Sequence, residues 1–72
     1  MPTEFDYTIT PRALELGGGW NVAFLEDGEA VGGAVYPLPD HVALDDSEAV
    51  RIYTEALHED ALAEATAWLA SR

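Results

Sequence analysis

The chain contains no cysteine and no lysine. Without thiols there can be no disulfide, no zinc–thiolate site and no thiol nucleophile. A core built from 72 residues must therefore hold without staples, as in a reducing cytoplasm. The first twenty residues lack the basic start and apolar run of a signal peptide. No stretch approaches the roughly 18 consecutive apolar residues that a membrane span needs. These absences predict a cytoplasmic protein with no membrane contact. Positive charge is scarce as well: Arg12, Arg51 and Arg72 stand against fourteen acids, giving a formal net charge of −11. That balance disfavours direct binding to nucleic acid or to an anionic membrane. It favours a basic partner protein, because opposite potentials steer encounter. It also fits an acidic surface that merely keeps a small protein soluble.

Motifs for catalysis and for metal binding are lacking too. Gly17-Gly18-Gly19 has no following Lys-Ser/Thr and leads into a strand, so it is no phosphate cradle. A metal site needs three or four convergent ligands. Asp40, His41, Asp45 and Asp46 are close in sequence but follow no calcium-loop pattern. His58 lies beside Glu59, yet the only serines, Ser47 and Ser71, sit where a helix would begin and end. No nucleophile, base and pocket come together. The expectation is a protein that is not an enzyme and uses no cofactor or metal.

What is present suffices to fold. The chain is 49% hydrophobic and carries Phe5, Tyr7, Trp20, Phe24, Tyr36, Tyr53 and Trp68. Phe5, Tyr7 and Ile9 alternate with polar residues, which predicts a half-buried strand over residues 4–10, closed or held at an edge by Pro11. Residues 12–16 either extend that strand past a bulge or form a short turn, and the three glycines make a flexible connection. Residues 20–26 and 29–36 form a hairpin around Asp27-Gly28, the dipeptide suited to a type I′ turn. A regular two-residue loop pairs Glu26 with Glu29, Phe24 with Val31, Val22 with Gly33 and Trp20 with Val35. Trp20, Val22, Phe24, Val31 and Val35 then share the core face. Gly32-Gly33 suggests a bulge or a close approach of the helix. Pro37 to Asp45 make a loop. Asp45 is the expected cap, in a box with Glu48, of a helix over residues 46–71 that is free of glycine and proline. Its apolar stripe is Val50, Tyr53, Leu57, Ala61, Ala65 and Trp68, widened by Leu62 and Leu69. A helix of about 26 residues is about 39 Å long and outruns a strand of about 23 Å. It must overhang, bend, or pack on a second copy, so a homodimer is one outcome. The predicted fold is a single α+β domain over residues 1–72, a three-stranded antiparallel sheet followed by one long C-terminal helix on one face (βββα).

Three acidic groups are candidate contact surfaces. Glu48, Ile52, Glu55 and Glu59 lie at offsets 0, 4, 7 and 11 and share one outer helix stripe. None of these acids has a base four residues on, and Ile52 is either an apolar anchor among them or a single exposed aliphatic. Glu26, Asp27 and Glu29 gather at the hairpin tip, and Asp40, Asp45 and Asp46 gather in the loop. Carboxylates four apart on a helix rise by about 6 Å along its axis. That step compares with successive phosphates on a strand, so such a ridge can act as a DNA mimic.

In size, charge and layout the whole chain resembles the small, acidic, cysteine-free inhibitor proteins of bacteriophages and mobile elements, the anti-CRISPR proteins among them. The resemblance lies in the hairpin WNVAFLEDGEAVGGAVYP and the long helix DDSEAVRIYTEALHEDALAEATAWLASR. It implies a protein–protein interaction with a basic surface on a Cas or Cascade subunit, or on another nucleic-acid-binding protein, that blocks DNA recognition without turnover. The strand–strand–strand–helix order is also similar to HicB-type antitoxin domains, which implies an antitoxin-like or regulatory alternative. It is similar to dsRNA-binding folds too, but the basic residues those need are missing.

Overall fold

The computed structural model describes residues 2–72. Strand β1 spans Phe5–Pro11, β2 spans Trp20–Glu26, β3 spans Glu29–Tyr36 and helix α1 spans Ser47–Ala70. A single 3-10 turn, Leu14–Leu16, stands between β1 and β2. The strands form one antiparallel sheet in the order β1-β2-β3, and α1 packs against β1 and β2. The expected βββα layout is therefore the observed one, and of the two alternatives for residues 12–16 the short turn is the one formed.

The core is thin. Val22, Phe24, Ala61 and Ala65 are buried, with Tyr7, Ile9, Ala34, Tyr36 and Trp68 packed around them. Ala61 and Ala65 are the points where the helix backbone comes nearest the sheet, and both have no exposed surface. The aromatic side chains fill the flanks. Trp68 stacks on Phe24 with centroids 4.8 Å apart and meets Phe5 edge-on at 5.8 Å. At the other end of the sheet Trp20 donates its Nε1–H to the Thr54 carbonyl at 2.8 Å and packs edge-on against His58. The helix of 24 residues is about 36 Å long. It overhangs, giving Cα extents of 49 × 20 × 14 Å and a radius of gyration of 13.9 Å. A compact chain of this length would have about 11 Å.

The hairpin departs from the regular register. Asp27 and Gly28 take positive φ, 52° and 86°, as the type I′ turn requires, and Glu26 faces Glu29. Between Phe24 and Leu25 the ladder slips by one residue of β3. Beyond the slip Phe24 faces Gly32, Val22 faces Ala34 and Trp20 faces Tyr36. Val31 and Val35 therefore leave the core face, and they stand 54% and 57% exposed. The expected pairing of Phe24 with Val31, Val22 with Gly33 and Trp20 with Val35 is corrected accordingly. The physical reason is the packing of the core face. Gly32 offers no side chain to the Phe24 ring, and the shift turns Ala34 and the larger Tyr36 inward.

Two local expectations change as well. The turn closed by the Asp46 amide on the Ala43 carbonyl places Asp45 before the helix rather than at its cap. Asp46 becomes the N-cap, and its carboxylate accepts from the Ala49 amide at 3.1 Å. The apolar stripe of α1 is rotated at its N-terminal half. Thr54 and His58 face the sheet, whereas Tyr53 and Leu62 are exposed. This orientation suits the Trp20 indole, which bonds the Thr54 carbonyl and packs edge-on against His58.

The glycine run is not a slack connection. All three residues have positive φ, and Gly18 and Gly19 are buried. A Cβ on Gly19 would lie 1.8 Å from the Tyr36 carbonyl oxygen. The Gly19 carbonyl accepts from Arg12 and the Gly17 carbonyl accepts from Leu38, so the run ties β1 to the loop after β3.

Candidate functional site

The helix ridge stands where its spacing put it. Glu48, Ile52, Glu55 and Glu59 are all exposed, on the side of α1 away from Ala61 and Ala65, and Ile52 keeps 50% of its surface. From Glu48 to Glu59 the ridge runs about 16 Å along the helix. One detail differs. Arg51, four residues before Glu55, reaches its carboxylate at 3.5 Å. Both side chains are largely solvent-exposed, so the pair is worth well under 1 kcal/mol. It lowers the local negative potential without burying either charge.

The remaining charge is uncompensated. All fourteen acids are exposed, and among the described residues Arg51–Glu55 is the one ion pair. Arg12 directs its guanidinium at the carbonyls of Gly18 and Leu16, at 3.0 and 2.8 Å. Arg72 lies over the Trp68 ring, 4.7 Å from its centroid.

The structure separates the ridge from the hairpin tip. Helix residues 54 and 58 lie beside Trp20, where β2 begins. Trp68 lies beside Phe5 and Phe24, near the tip end. Glu48 to Glu59 therefore occupy the loop end of the molecule, whereas Glu26, Asp27 and Glu29 occupy the far end. Asp27 is also partly committed to the fold: its Oδ1 accepts from the Glu4 amide at 2.9 Å, and its own amide donates to the Glu4 carbonyl at 2.7 Å. Glu26 and Glu29 face each other as like charges. The third group, Asp40, Asp45 and Asp46, lies at the same end as the ridge because it leads directly into α1.

Sequence reasoning passed over two features. Asp60 and Glu64 are exposed and four apart on α1, a further acidic pair that spacing alone could have found. An open cleft of about 150 Å³ also lies at the loop end, lined by Gly17, Leu38, Pro39, Asp40, Val42 and Leu44. No periodic pattern marks it, since its walls come from two loops. His41 Nε2 lies 3.2 Å from the Tyr53 hydroxyl, which pins this loop to the helix.

Among the described residues no three His, Asp or Glu side chains gather as a metal-binding group. Among the described residues no helix is long and apolar enough to cross a membrane. Comparison with protein-family models, with curated proteins and with solved structures finds no match to this chain.

Proposed function

We propose that this protein is a non-enzymatic inhibitor that docks on a basic nucleic-acid-binding surface and keeps DNA from it, in the manner of an anti-CRISPR protein acting on a Cas or Cascade subunit. One observation carries the reading. Fourteen exposed acids, offset by one weak ion pair among the described residues, include a straight helical ridge of Glu48, Glu55 and Glu59 with Ile52 among them. Within it Glu55 and Glu59 are separated by about 6 Å along the axis, a step like that between successive phosphates on a strand. Its rigidity means that the partner's Arg and Lys side chains meet pre-positioned carboxylates, which lowers the ordering cost of binding. Ile52 supplies apolar contact inside the charged ring. In this reading the ridge is the contact, and the tip, which lies at the far end of the molecule, adds long-range steering.

The test is competition. A labelled DNA duplex is bound to a Cascade-type complex and the protein is titrated in at rising salt. The expected result is displacement at 50 mM salt that weakens steeply by 500 mM. Displacement that does not change over that range would remove the electrostatic reading.

A second reading is supported by the exposed apolar surface. Leu14, Leu16, Val31, Val35, Leu44, Ile52, Tyr53 and Leu62 are all substantially exposed, and among the described residues no large side chain is fully buried. A permanent complex, as between an antitoxin-like module and its toxin, would cover part of that surface. Relief of a co-expressed toxin's growth arrest would favour this reading over the first.

A further inference from the structure

The cleft at the loop end is made by the way the glycine run packs. Gly18 is buried, and a Cβ on it would fall 2.7 Å from Leu38 Cδ1 and 3.2 Å from Leu14 Cδ2. Leu14 and Leu38 therefore meet over a bare backbone. Beside them Leu38 and Val42 line the floor, and both are buried. Leu44 forms an outer wall, 47% exposed. The loop's shape is held by the Leu38 amide on the Gly17 carbonyl and the Val42 amide on the Pro39 carbonyl. Four of the six lining residues are Leu, Pro, Val and Leu, and the only charged one is Asp40.

We infer that this cleft receives one aliphatic side chain from a basic segment of a partner protein. The volume, about 150 Å³, suits a single side chain of leucine size and is too small for a helix or a nucleotide. The chemistry of the flanking residues follows from charge. Asp40 lines the cleft, and the exposed Asp45 and Asp46 directly follow its wall residue Leu44 in sequence. Arg12, beside Gly17, has its guanidinium on the carbonyls of Gly18 and Leu16 rather than on these acids. A leucine or isoleucine flanked by arginine or lysine satisfies both the floor and the rim. A second copy of this chain does not, because each copy carries −11. The inference rests on the basic-partner reading above for the sign of the partner's charge, and adds the segment that anchors it.

The probe is the peptide acetyl-Arg-Leu-Arg-amide, titrated into the full-length 15N-labelled protein at low salt. Saturable shifts are expected at the amides of Gly17, Asp40, Val42 and Leu44. The Arg-Ala-Arg and Gly-Leu-Gly peptides should each bind at least fivefold more weakly. Leu44→Arg should weaken binding at least tenfold. Asp40→Asn provides the same check on a residue whose exposed side chain the fold does not need, with at least a threefold loss. Equal binding of Arg-Ala-Arg or Gly-Leu-Gly, or native affinity in both variants, overturns the inference. Shifts confined to Glu48, Glu55 and Glu59 also overturn it while leaving the ridge reading standing. Cleft shifts that persist in a Glu55→Lys/Glu59→Lys variant that still displaces DNA support the cleft and remove the ridge.

Discussion

The Trp20 indole and the Thr54 carbonyl, 34 residues apart in sequence, share a hydrogen bond of 2.8 Å that locks the first half of the helix to the start of β2. The carbonyl keeps its place in the helix while accepting this second donor, so the bond acts with Ala61, Ala65 and Trp68 in fixing the rotation of α1 about its axis. That rotation turns Thr54 and His58 inward, leaves Tyr53 to meet His41, and holds Glu48, Glu55 and Glu59 outward.

Replacing Trp20 by Phe keeps an aromatic ring and deletes the donor. The expected loss is about 1 kcal/mol, the usual net value of one such bond. For a domain of this size that corresponds to a fall in Tm of about 4–8 °C, measurable by circular dichroism. An unchanged Tm would mean that the bond does not hold the helix.

Gly19 and Gly28, two of the four glycines at positive φ, lie in different surroundings and should behave differently. At Gly19 a methyl group would meet the Tyr36 carbonyl at 1.8 Å, so Gly19→Ala should give no folded protein. At Gly28, with φ 86°, nothing lies within 4 Å of the new Cβ. Gly28→Ala then pays only the left-handed backbone penalty, about 1 kcal/mol. Chemical denaturation of the two variants side by side distinguishes the causes.

The slipped register is testable through the valines. Val31→Thr and Val35→Thr should each change stability by less than about 0.5 kcal/mol, because both side chains are in solvent. Val22→Ala, at 3% exposure, should cost about 2 kcal/mol. A large loss at Val31 would restore the regular hairpin pairing.

Close contact of helix and sheet depends on two alanines with no exposed surface. Ala65→Leu should push α1 off β2 and cost about 1–3 kcal/mol by overpacking. The same change at exposed Ala63 should be neutral, with thermal denaturation as the readout.

Glu55→Lys together with Glu59→Lys raises the net charge from −11 to −7, two units per substitution. Both side chains are exposed, so the melting temperature should stay within about 2–3 °C of the native value. Displacement of DNA from the basic partner should fall at least tenfold, since two favourable contacts become repulsive. Full inhibition by this folded variant would move the contact away from the ridge.

Much of this structure was legible in the residues. Alternation marked β1, Asp27-Gly28 marked the hairpin turn, and the long stretch without glycine or proline marked α1 to within a residue at each end. The outward ridge was legible for the same reason, because spacing on a helix fixes which side chains share a face. The bulge was suggested by Gly32-Gly33 and falls at the adjacent Val31, but its exact place was not legible. It depends on how the Phe24 ring and Tyr36 pack across the sheet, a competition between side chains that no local period encodes. The cleft was hidden likewise, since Gly17 and Leu44 approach only after β1, β2 and β3 have folded. The distance between ridge and hairpin tip was hidden until the helix had a direction over the sheet.

Sequence by itself determined the elements, their order, the excess of negative charge and its exposure, because each follows from local propensity or from the cost of burying an unpaired carboxylate. Tertiary structure alone decided the register of β3, the rotation of α1 and the grouping of the acids, because these depend on which surfaces fit together at van der Waals contact.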